Sequence, residues 1–566
     1  MRWEIILRIQ RVAIYQTERV SKEVYPLNWR FVRTRSSPKI GLLMRRSLWS
    51  TLLSCIRMVL LIFPAFGALA ANTWFVATNG VDSNSGSSNS PFATVMRAQS
   101  VAASGDTVYL RGGTYFLGNS NLTATNNPWA IVNNITKSGI SYLAYPGELP
   151  IFDFHNVQPD GFRVTAFHVT ASRCVFRGFD VVGVQVTIQT NHTQSECFRV
   201  DGGNNNLFQQ LRMHDGMANG WYLTKGASNL VLNCDAYNNK GLDSGSIGNT
   251  DGFGCHPSAG GRSNILYGCR SWFNSDDGYD CINAFESVRF ENCWSFYNGY
   301  WTNFSSTGGD GNGFKAGGYG VSGGSVPLPV PRHLVQFCLA VQNRVNGFYS
   351  NHHMNGSDWF CNTGFSNSVN FNMLCNTNNT SSTNDVPGFA HVMKNNLGYR
   401  ARSSEVSNLG SATTNDITFN YFTLPVTVSA ADFASLDLSL LTAPRQADGS
   451  LPRVNFARLA NGSDCINAGT NIGFEFYGAA PDLGAFEFGP TNGPALAIAN
   501  AGTNLILTAN GWANWTNYLL TSTNLQLPIS QWARVGTNKS DVAGNAVFTN
   551  GIAVGVGNQF FQVSLP

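Results

Sequence analysis

Tyr267-Gly268-Cys269-Arg270-Ser271-Trp272-Phe273-Asn274 is the stretch that decides the fold, because its pattern returns 24 residues later. The second copy is Glu291-Asn292-Cys293-Trp294-Ser295-Phe296-Tyr297-Asn298. In both copies a cysteine and an asparagine stand five positions apart. A repeat of this length indicates a chain built from stacked structural units, each of which contacts only its neighbours.

Two further copies extend the pattern, one at residues 232–239 and one at residues 336–343. The cysteines stand at 234, 269, 293 and 338, so the steps between them are 35, 24 and 45 residues. Insertions of variable length are tolerated in loops, which is typical of a stacked β-coil whose short strands lie about 4.8 Å apart. We therefore predict an all-β parallel β-helix, with reduced, buried cysteines in an interior ladder and asparagines in a turn ladder.

Three motifs with charged residues lie between residues 249 and 318 of a chain that is otherwise poor in charge. They are Asn249-Thr250-Asp251-Gly252-Phe253, Ser275-Asp276-Asp277-Gly278-Tyr279-Asp280 and Asn312-Gly313-Phe314-Lys315-Ala316-Gly317-Gly318. Asp251 and Asp276 are 25 residues apart, about one coil, so we expect one to lie above the other. Asp280 and Lys315 are 35 apart, one coil plus a polar insertion. One face should therefore carry all these side chains on three consecutive rungs.

The four carboxylates indicate a metal site. Crowded carboxylates repel one another unless a cation neutralises them or some take up protons. Oxygen ligands without His or Cys at ligand spacing favour Ca²⁺ over zinc. Asp276 and Asp277 are adjacent and can converge only in a turn, which Gly278 is expected to permit. Solvated Asp-Gly turns are the alternative explanation.

Lys315 is the candidate base. Small residues on both sides leave room for a large ligand. A bound Ca²⁺ nearby would disfavour the ammonium form and lower the lysine pKa, which suits proton abstraction. Ca²⁺ on a uronate carboxylate would also acidify the adjacent C5 proton. Together these groups predict β-elimination on an acidic polysaccharide, although a lone lysine is more often an ordinary surface charge.

The three motifs, in this order and at these intervals, resemble those of the family 9 polysaccharide lyases, which are pectate lyases with a right-handed parallel β-helix. The resemblance spans roughly residues 74–488. It implies that Lys315 is the Brønsted base that abstracts the C5 proton of galacturonate in polygalacturonate or pectate. It also implies a catalytic Ca²⁺ held by the side chains of Asp251, Asp276, Asp277 and Asp280.

Two other functions are compatible with parts of this pattern. A β-helical glycoside hydrolase of the polygalacturonase type also presents several acids on one face, but the Gly-His-Gly and Arg-Ile-Lys tripeptides of those enzymes are absent from the chain. A non-catalytic surface β-helix stapled by Ca²⁺ would explain the Asp cluster and leave Lys315 without a role. The uronate itself stays open, because base and metal act on any C5 proton beside a carboxylate.

The N-terminal region has the features of a secretory leader. Residues 44–70 contain Arg45 and Arg46, an apolar run and Ala68-Leu69-Ala70, which predict a signal peptide. Residues 1–43 show no clear period, and we interpret them as an over-long extension upstream of the true start. We therefore predict a secreted protein that has no stable membrane span after cleavage.

The charge balance depends on this leader. Residues 1–70 hold 12 Lys and Arg against 3 Asp and Glu, so the rest of the chain holds 24 against 30. The whole chain has a formal net charge of +3, whereas residues 71–566 have −6. This composition does not suggest nucleic acid as a partner, and we expect a monomer that acts on an acidic polysaccharide.

We expect two domains after the leader. Residues 71–489 form the catalytic β-helix, and helical apolar spacing over residues 92–103 predicts a helix that caps its open N-terminal end. A Gly- and Pro-rich linker follows at residues 490–494. Alternating apolar runs in residues 495–566 predict a small accessory β-sandwich. Its tryptophans either stack on sugars or pack in its core, and they are Trp512, Trp515 and Trp532.

Overall fold

The computed structural model describes residues 71–564, apart from 189–193, 243–246, 475, 477, 490–494, 502, 511–515, 524–531, 542–543 and 552–558. The predicted extension, signal peptide and linker lie outside the described residues, and so do Trp512 and Trp515. Among the helices of the described part, none is long and apolar enough to cross a membrane.

The main body is a parallel β-helix, as predicted. One coil contributes Asn264–Tyr267 to the first sheet, Arg270–Trp272 to the second and Tyr279–Asp280 to the third. The next coil begins at Val288–Glu291, which pairs in parallel with Asn264–Tyr267. Each strand therefore bonds to the equivalent strand one coil earlier and one coil later, so that insertions between strands become loops.

The strands of each sheet follow one another in chain order. The first sheet contains Thr73–Val76, Thr107–Leu110, Ser141–Ala144, Val175–Arg177, Leu207–Gln209, Leu230–Leu232, Asn264–Tyr267, Val288–Glu291, Leu334–Gln336, Asp358–Phe360, Val392–Lys394 and Asp416–Ile417. The second contains Gly113–Gly118, Pro150–Asn156, Asp180–Val182, Arg212–His214, Asp235–Tyr237, Arg270–Trp272, Trp294–Phe296, Leu339–Val341, Thr363–Phe365 and Leu397–Tyr399. The third contains Ala124–Asn126, Trp129–Ile135, Arg163–Val169, Ser195–Asp201, Ala218–Lys225, Phe253–Cys255, Tyr279–Asp280, Phe314–Lys315, Asn346–Tyr349, Val369–Asn372 and Ser404–Ser407.

The interior is filled by ladders of like residues. The four repeat cysteines are fully buried and free, which confirms the predicted ladder of reduced thiols at 234, 269, 293 and 338. Aromatic rings stack inside the third sheet at centroid distances of 4.6 to 5.2 Å. These rings belong to Phe253, Tyr279, Phe314, Phe348 and Phe371. Burial of such a side chain contributes about 1.5–3 kcal/mol, so the ladder stabilises the coils that carry the charged motifs.

The predicted asparagine ladder lies at the turn between the second and third sheets. Asn274 Nδ2 donates to Asn298 Oδ1 over 3.0 Å, and Asn298 Nδ2 donates to Asn343 Oδ1 over 3.1 Å. Asn239 and Asn367 continue the ladder at its two ends, each at 3.0 Å from its neighbour. Because these buried amides satisfy one another and nearby carbonyl groups, the turn keeps the same shape on successive coils.

The capping helix is shorter than predicted. It spans Val95–Val101, and the side chain of Thr94 accepts a hydrogen bond from Arg97 N–H at its N-terminus. Phe92 is not helical, because its N–H donates to Phe75 O and it forms a parallel bridge with Val76. The apolar pattern that predicted the helix therefore began with Phe92, a β-bridge residue that lies before the helix. Val95 and Ala98 bury the helix against the first coil.

A second core covers the outer face of the second sheet. Trp294, Phe296 and Val341 pack there with Phe433 and Leu441 from the segment that follows the last coil. Short 3₁₀ helices occur at Asn119–Asn121, Ser382–Asn384, Ala430–Asp432 and Leu438–Thr442, and a small antiparallel pair at Cys375–Asn376 and Asp385–Val386.

The C-terminal region forms two antiparallel three-stranded sheets, which confirms the predicted small sandwich. One sheet contains Ala495–Ala501, Asn504–Asn510 and Asn545–Gly551, and the other contains Thr516–Ser522, Ala533–Lys539 and Phe560–Ser564. The two sheets share a small apolar core of Leu507, Ala509, Leu519, Ala546 and Phe548. The predicted domain boundaries remain predictions.

Candidate active site

The charged motifs lie on the outer face of the third sheet. Phe253–Cys255, Tyr279–Asp280 and Phe314–Lys315 are consecutive strands of that sheet, and Asp280 pairs directly with Lys315. Because Tyr279 and Phe314 point into the core, their neighbours Asp280 and Lys315 point outward. The structure therefore brings the predicted site residues together on three consecutive rungs.

Asp277, and not Asp276, is the neighbour of Asp251 on the next coil. Gly252 N–H donates to Asp277 O over 3.0 Å, whereas Asp276 N–H donates to Thr250 O over 3.0 Å. The expectation that Asp276 lies above Asp251 was therefore wrong by one residue. The register is set by backbone hydrogen bonds, and an interval of 25 residues does not specify it to a single position.

Gly278 is required for close packing rather than for a special turn. It does not adopt a positive φ, so the predicted conformational role is wrong. A Cβ at this position would lie 2.1 Å from Ser295 Oγ on the next coil. Gly252 meets the same obstacle, since its Cβ would lie 2.1 Å from Ser271 Oγ. The glycines of the motifs let the coils approach the Ser and Asn ladder.

Three of the four predicted carboxylates meet in one cluster. Asp251, Asp276 and Asp277 are buried, and each offers an oxygen atom within 4.8 Å of the others. Asp280 stands apart from this cluster, beside Lys315. The structure thus supports a group of three with a fourth carboxylate next to the lysine.

Each carboxylate is oriented through its Oδ1 atom by a backbone N–H. The donors are Asp277 N–H to Asp251 at 3.0 Å, Asp310 N–H to Asp276 at 2.5 Å, Asn312 N–H to Asp277 at 2.6 Å and Ile282 N–H to Asp280 at 2.6 Å. The Oδ2 atoms of these carboxylates do not accept such backbone hydrogen bonds from the described residues. Among the residues that the structure describes, Lys315 Nζ is the only donor close to any of them. The backbone therefore holds the carboxylates in place and leaves one oxygen of each for another partner.

Lys315 Nζ lies 3.1 Å from Asp277 Oδ2 and 3.2 Å from Asp280 Oδ2. The contact with Asp277 lacks hydrogen-bond geometry, so this buried oxygen has no hydrogen-bond partner in the described part of the chain. The contact is an ion pair at short range. A buried carboxylate oxygen without a donor is costly unless a cation satisfies it.

Burial and mutual repulsion shift the pKa values of the cluster. Burial, followed by repulsion from neighbouring carboxylates, raises the pKa of Asp251 and Asp276 well above the usual range. Burial also raises the pKa of Asp277 to about 6, although Lys315 opposes this shift. For Lys315, burial lowers the pKa, but the attraction of Asp277, Asp280 and the other acids outweighs it and raises the pKa well above its usual range.

The donor set fits a hard divalent cation. One ammonium group faces four carboxylates, so charge compensation within the described residues is incomplete. The free oxygens belong to carboxylates alone, and such ligands suit Ca²⁺ better than zinc. The predicted ligands are Asp251, Asp276, Asp277 and Asp280, of which the first three offer oxygens within 4.8 Å of one another and Asp280 lies beside Lys315.

Three residues of this site were not assigned roles from the sequence. Asn219 Oδ1 accepts a hydrogen bond from Asp251 N–H, and Asn312 donates twice to Asp277. Asp310 places an exposed carboxylate 4.0 Å from Lys315 Nζ. Asn312 belongs to the third motif, but its position beside the Asp277 carboxylate of the preceding coil follows only from the register of the coils. Asp310 lies in the polar insertion, where the sequence carries no signal of proximity.

Comparison with known proteins shows the family of this chain. The family model described as "Pel9A-like, right handed beta helix region" matches residues 74–396. Pectate lyase L of Dickeya chrysanthemi is 34% identical over 436 residues, which cover 74% of this chain and 92% of that protein. The chain belongs to the Pel9A-like family of pectate lyases.

Other known proteins are similar over most of the chain. Pectate lyase PEL9 of Emericella nidulans is 28% identical, with 71% of this chain and 95% of that protein covered. The solved structure of pectate lyase Pel9A is 32% identical with a TM-score of 0.58, covering 74% of this chain and 96% of that one. A solved rhamnogalacturonan lyase is 43% identical with a TM-score of 0.66, covering 69% and 97%.

Family membership settles the general activity. The Pel9A-like chain is a polysaccharide lyase with a right-handed parallel β-helix, as the motif resemblance implied. The glycoside hydrolase and the non-catalytic surface protein, which were the two alternatives, receive no support from these relatives.

Proposed function

We propose that this chain is a secreted, Ca²⁺-dependent lyase that cleaves polygalacturonate or pectate by β-elimination, with Lys315 as the base. The observation that carries the proposal is the contact of Lys315 Nζ with Asp277, a member of the buried cluster of three, and with the neighbouring Asp280. Secretion rests on the features of residues 44–70 in the sequence. The names of the relatives support the acidic polysaccharide as substrate.

The Asp cluster would hold the ion and Lys315 would move the proton. When bound, Ca²⁺ would compensate the substrate carboxylate and make the adjacent C5 proton more acidic. Lys315 Nζ takes this proton as the C5–H bond breaks, which leaves the electron pair on C5, stabilised by the adjacent carboxylate. This pair forms the C4=C5 double bond as the C4–O4 bond breaks, and the leaving O4 takes a proton from solvent.

Lys315 must be neutral to act as a base. Asp277 and Asp280 are the nearest cause of its raised pKa, so compensation of their charge would lower the pKa towards a useful range. The expectation of a lowered lysine pKa therefore applies to the calcium-loaded site. High pH should favour the same neutral form.

The first test is ultraviolet absorbance of polygalacturonate incubated with the protein at alkaline pH. Absorbance should rise with added Ca²⁺ and stop rising with a chelator, because each cleavage leaves a C4=C5 double bond. New reducing ends without absorbance would indicate hydrolysis and contradict the proposal. Activity that persists in the presence of a chelator would contradict the proposed dependence on Ca²⁺.

Substitution of Lys315 by alanine tests the base. Lys315→Ala should abolish turnover while Ca²⁺ binding is retained, since Nζ contacts the carboxylates without being a ligand. Lys394→Ala is the matched control, because Lys394 pairs with Asp416 on the first sheet, away from the third. Loss of calcium affinity in Lys315→Ala would show that the roles are misassigned.

A second candidate substrate is suggested by the solved rhamnogalacturonan lyase, whose 43% identity exceeds the 34% of pectate lyase L and the 32% of Pel9A. Rhamnogalacturonan also carries galacturonate, so the same base and ion would serve. The absorbance assay should be run on both polymers in parallel. A rise in absorbance on rhamnogalacturonan alone would indicate that rhamnogalacturonan, and not polygalacturonate, is the substrate.

A further inference from the structure

The outer face of the third sheet continues from the candidate active site towards the N-terminal coils. Backbone register places Arg199 beside Tyr222, Tyr222 beside Gly254, Gly254 beside Asp280, and Asp280 beside Lys315. Phe198 and Trp221 point into the core, so Arg199 and Tyr222 point outward like Lys315. Four rungs at about 4.8 Å put Arg199 roughly 19 Å from Lys315.

Arg199 brings an excess positive charge to this face. Arg199 Nη1 and Arg163 Nη2 both donate to Glu196 Oε1, at 2.9 and 3.1 Å, and Glu196 is fully buried. Two guanidinium groups therefore share one carboxylate. The neighbouring ion pair of Lys225 with Asp201, at 3.2 Å, has no net charge and does not change the excess of positive charge.

The donors of Arg199 are only partly used. Its bond to Glu196 is its one hydrogen bond within the described residues, and its side chain is 15% exposed. Its guanidinium is held by the Trp129 ring at 5.3 Å and the Tyr222 ring at 5.7 Å. Arg163 also uses its Nε–H, to Gln194 O. Of the two arginines, Arg199 thus has more unused N–H donors, and two aromatic rings hold its guanidinium in place.

A continuous surface joins Arg199 to the active site. The Tyr222 ring contacts the His256 ring at a tilt of 37°, with centroids 4.8 Å apart. Both rings occupy the space over Gly254, where a Cβ would lie 2.6 Å from Tyr222 and 2.8 Å from His256. Because Gly254 has no side chain, the two rings form a platform between Arg199 and Asp280. In the opposite direction from Lys315, the same column continues with the uncharged Tyr349 and Asn372.

We infer that Arg199 forms a distal binding subsite for a uronate carboxylate, several sugars from the cleaved bond and on the N-terminal side of Lys315. The inference rests on the proposed function, because it takes an anionic polysaccharide bound along this face as given. A guanidinium binds a carboxylate through two parallel N–H donors, and the unused donors of Arg199 suit that geometry. Along this column the substrate therefore meets the guanidinium of Arg199 on one side of Lys315 and the side chains of Tyr349 and Asn372 on the other.

The length of the oligosaccharide substrate distinguishes a binding role of Arg199 from a purely structural one. Arg199→Gln should raise the KM for polygalacturonate and long oligogalacturonates about tenfold, as expected from the loss of one charge-assisted hydrogen bond, with kcat little changed. The shortest cleaved oligomers cannot span the distance to residue 199, so their KM should stay at the wild-type value. If only rhamnogalacturonan is cleaved, the same series is run with its oligomers.

Arg212→Gln is the matched control, because Arg212 also pairs with a carboxylate, Asp180, but on the second sheet. It should leave the KM of every oligomer unchanged. Glu196 keeps its bonds to Arg163 and Thr165 in Arg199→Gln, so the variant should fold, and its melting temperature checks this. If it does not fold, Arg199→Lys, which keeps the charge, should show a smaller loss confined to long oligomers.

Two results would overturn the subsite. One is an equal loss on short and long oligomers, which would indicate that Arg199 only supports the fold. The other is no loss on any substrate. Failure of the proposed function looks different, since either neither polymer would then give a rise in absorbance with Ca²⁺ or Lys315→Ala would keep the wild-type rate, whatever residue stands at position 199.

Discussion

At the residue scale, the site is a set of buried acids whose orientation is set by the backbone. Asp251, Asp276 and Asp277 each accept an N–H bond on one oxygen, from a donor on the next coil. Their positions do not depend on long flexible side chains. Such preorganisation lowers the cost of assembling a cation site, because the ligands are already ordered before the ion arrives.

Asp277 should be the most sensitive ligand. Asp277→Asn keeps an acceptor for Asn312 but removes the charge of an oxygen that is buried without a hydrogen bond. We expect Ca²⁺ affinity to fall by at least about 10–100-fold, the range seen even for loss of an outer-shell partner. Calorimetric titration measures this.

Asp310→Asn is the control for Asp277→Asn. It makes the same charge change close to the site, but the Asp310 side chain is 69% exposed and is not one of the three clustered carboxylates. Its effect on affinity should be clearly smaller. Equal losses in the two variants would indicate a general charge effect instead of ligation.

Calcium affinity should fall as the pH drops through about 6. Asp277 has a pKa raised to about 6, and the pKa values of Asp251 and Asp276 are raised in the same direction. A protonated carboxyl group is a poor ligand, so protons compete with the ion. Titrations between about pH 5 and about pH 8 would test this, and a pH-independent Kd would contradict it.

The same shift has a consequence for the calcium-free protein. Between the ordinary Asp pKa of 3.8 and about 6, folded Asp277 holds a proton that the unfolded chain has lost. The free energy of unfolding should therefore decrease as the pH rises through that window. Saturating Ca²⁺ should restore it, by about 2.7 kcal/mol when the ion is at 100 times its Kd.

At the scale of elements, the asparagine ladder supports the turn from which the acidic motif emerges. Asn274 is followed directly by Ser275 and Asp276, and Asn274 is bonded to Asn298 on the next coil. Because each amide bonds to the next, the ladder transmits the turn geometry along the β-helix. The ladder thus connects a repeat in the sequence to the position of a carboxylate.

Asn298→Ala tests this connection. The substitution removes bonds to Ser271 O, Ser295 Oγ and Asn343 Oδ1 and leaves their partners buried. We expect the free energy of unfolding to fall by about 3 kcal/mol, since each unsatisfied buried group costs roughly 1–3 kcal/mol. Calcium affinity should fall as well, because the turn before Asp276 loses its support.

The exposed Asn378 provides the comparison for Asn298. Asn378→Ala should change the free energy of unfolding by no more than about 0.5 kcal/mol. Denaturant unfolding of both variants gives the two values. Similar values for the two positions would mean that the ladder does not carry the stability assigned to it.

At the scale of the whole molecule, the β-helix and the C-terminal sandwich have separate cores. The core of the sandwich contains residues from its own two sheets, and the long core of the β-helix contains none of them. Strand pairing is also confined to each part. Stability and catalysis are therefore expected to reside in the β-helix independently of the sandwich.

Truncation after residue 489 should preserve both properties. The shortened protein should keep the melting temperature of the β-helix and its kcat/KM on the polysaccharide, because the described site residues all precede residue 400. Thermal unfolding and the absorbance assay measure these. Loss of activity with an intact fold would show that the C-terminal module takes part in handling the substrate.

Some features of the site could be predicted because they are local. Asp251, Asp277 and Lys315 fall on consecutive rungs since the coil length limits where equivalent residues can lie. The offset between Asp251 and Asp276 was missed by one residue, because side chains change face at every position of a strand and the spacing alone does not set the register. The role of Gly278 was missed because its obstacle, Ser295, lies on another coil.

The sequence by itself determined the class of fold and predicted four carboxylates and a lysine as the candidate site, because a repeated Cys and Asn pattern implies stacked coils and the charged motifs recur at coil-length intervals. Only the tertiary structure decided which carboxylates meet, that Asp310 approaches Lys315, and that Arg199 shares a face with it. Arg199 and Lys315 are 116 positions apart, and backbone pairing across four rungs is what aligns them. Such alignment depends on the sum of every insertion between them, which no local pattern records.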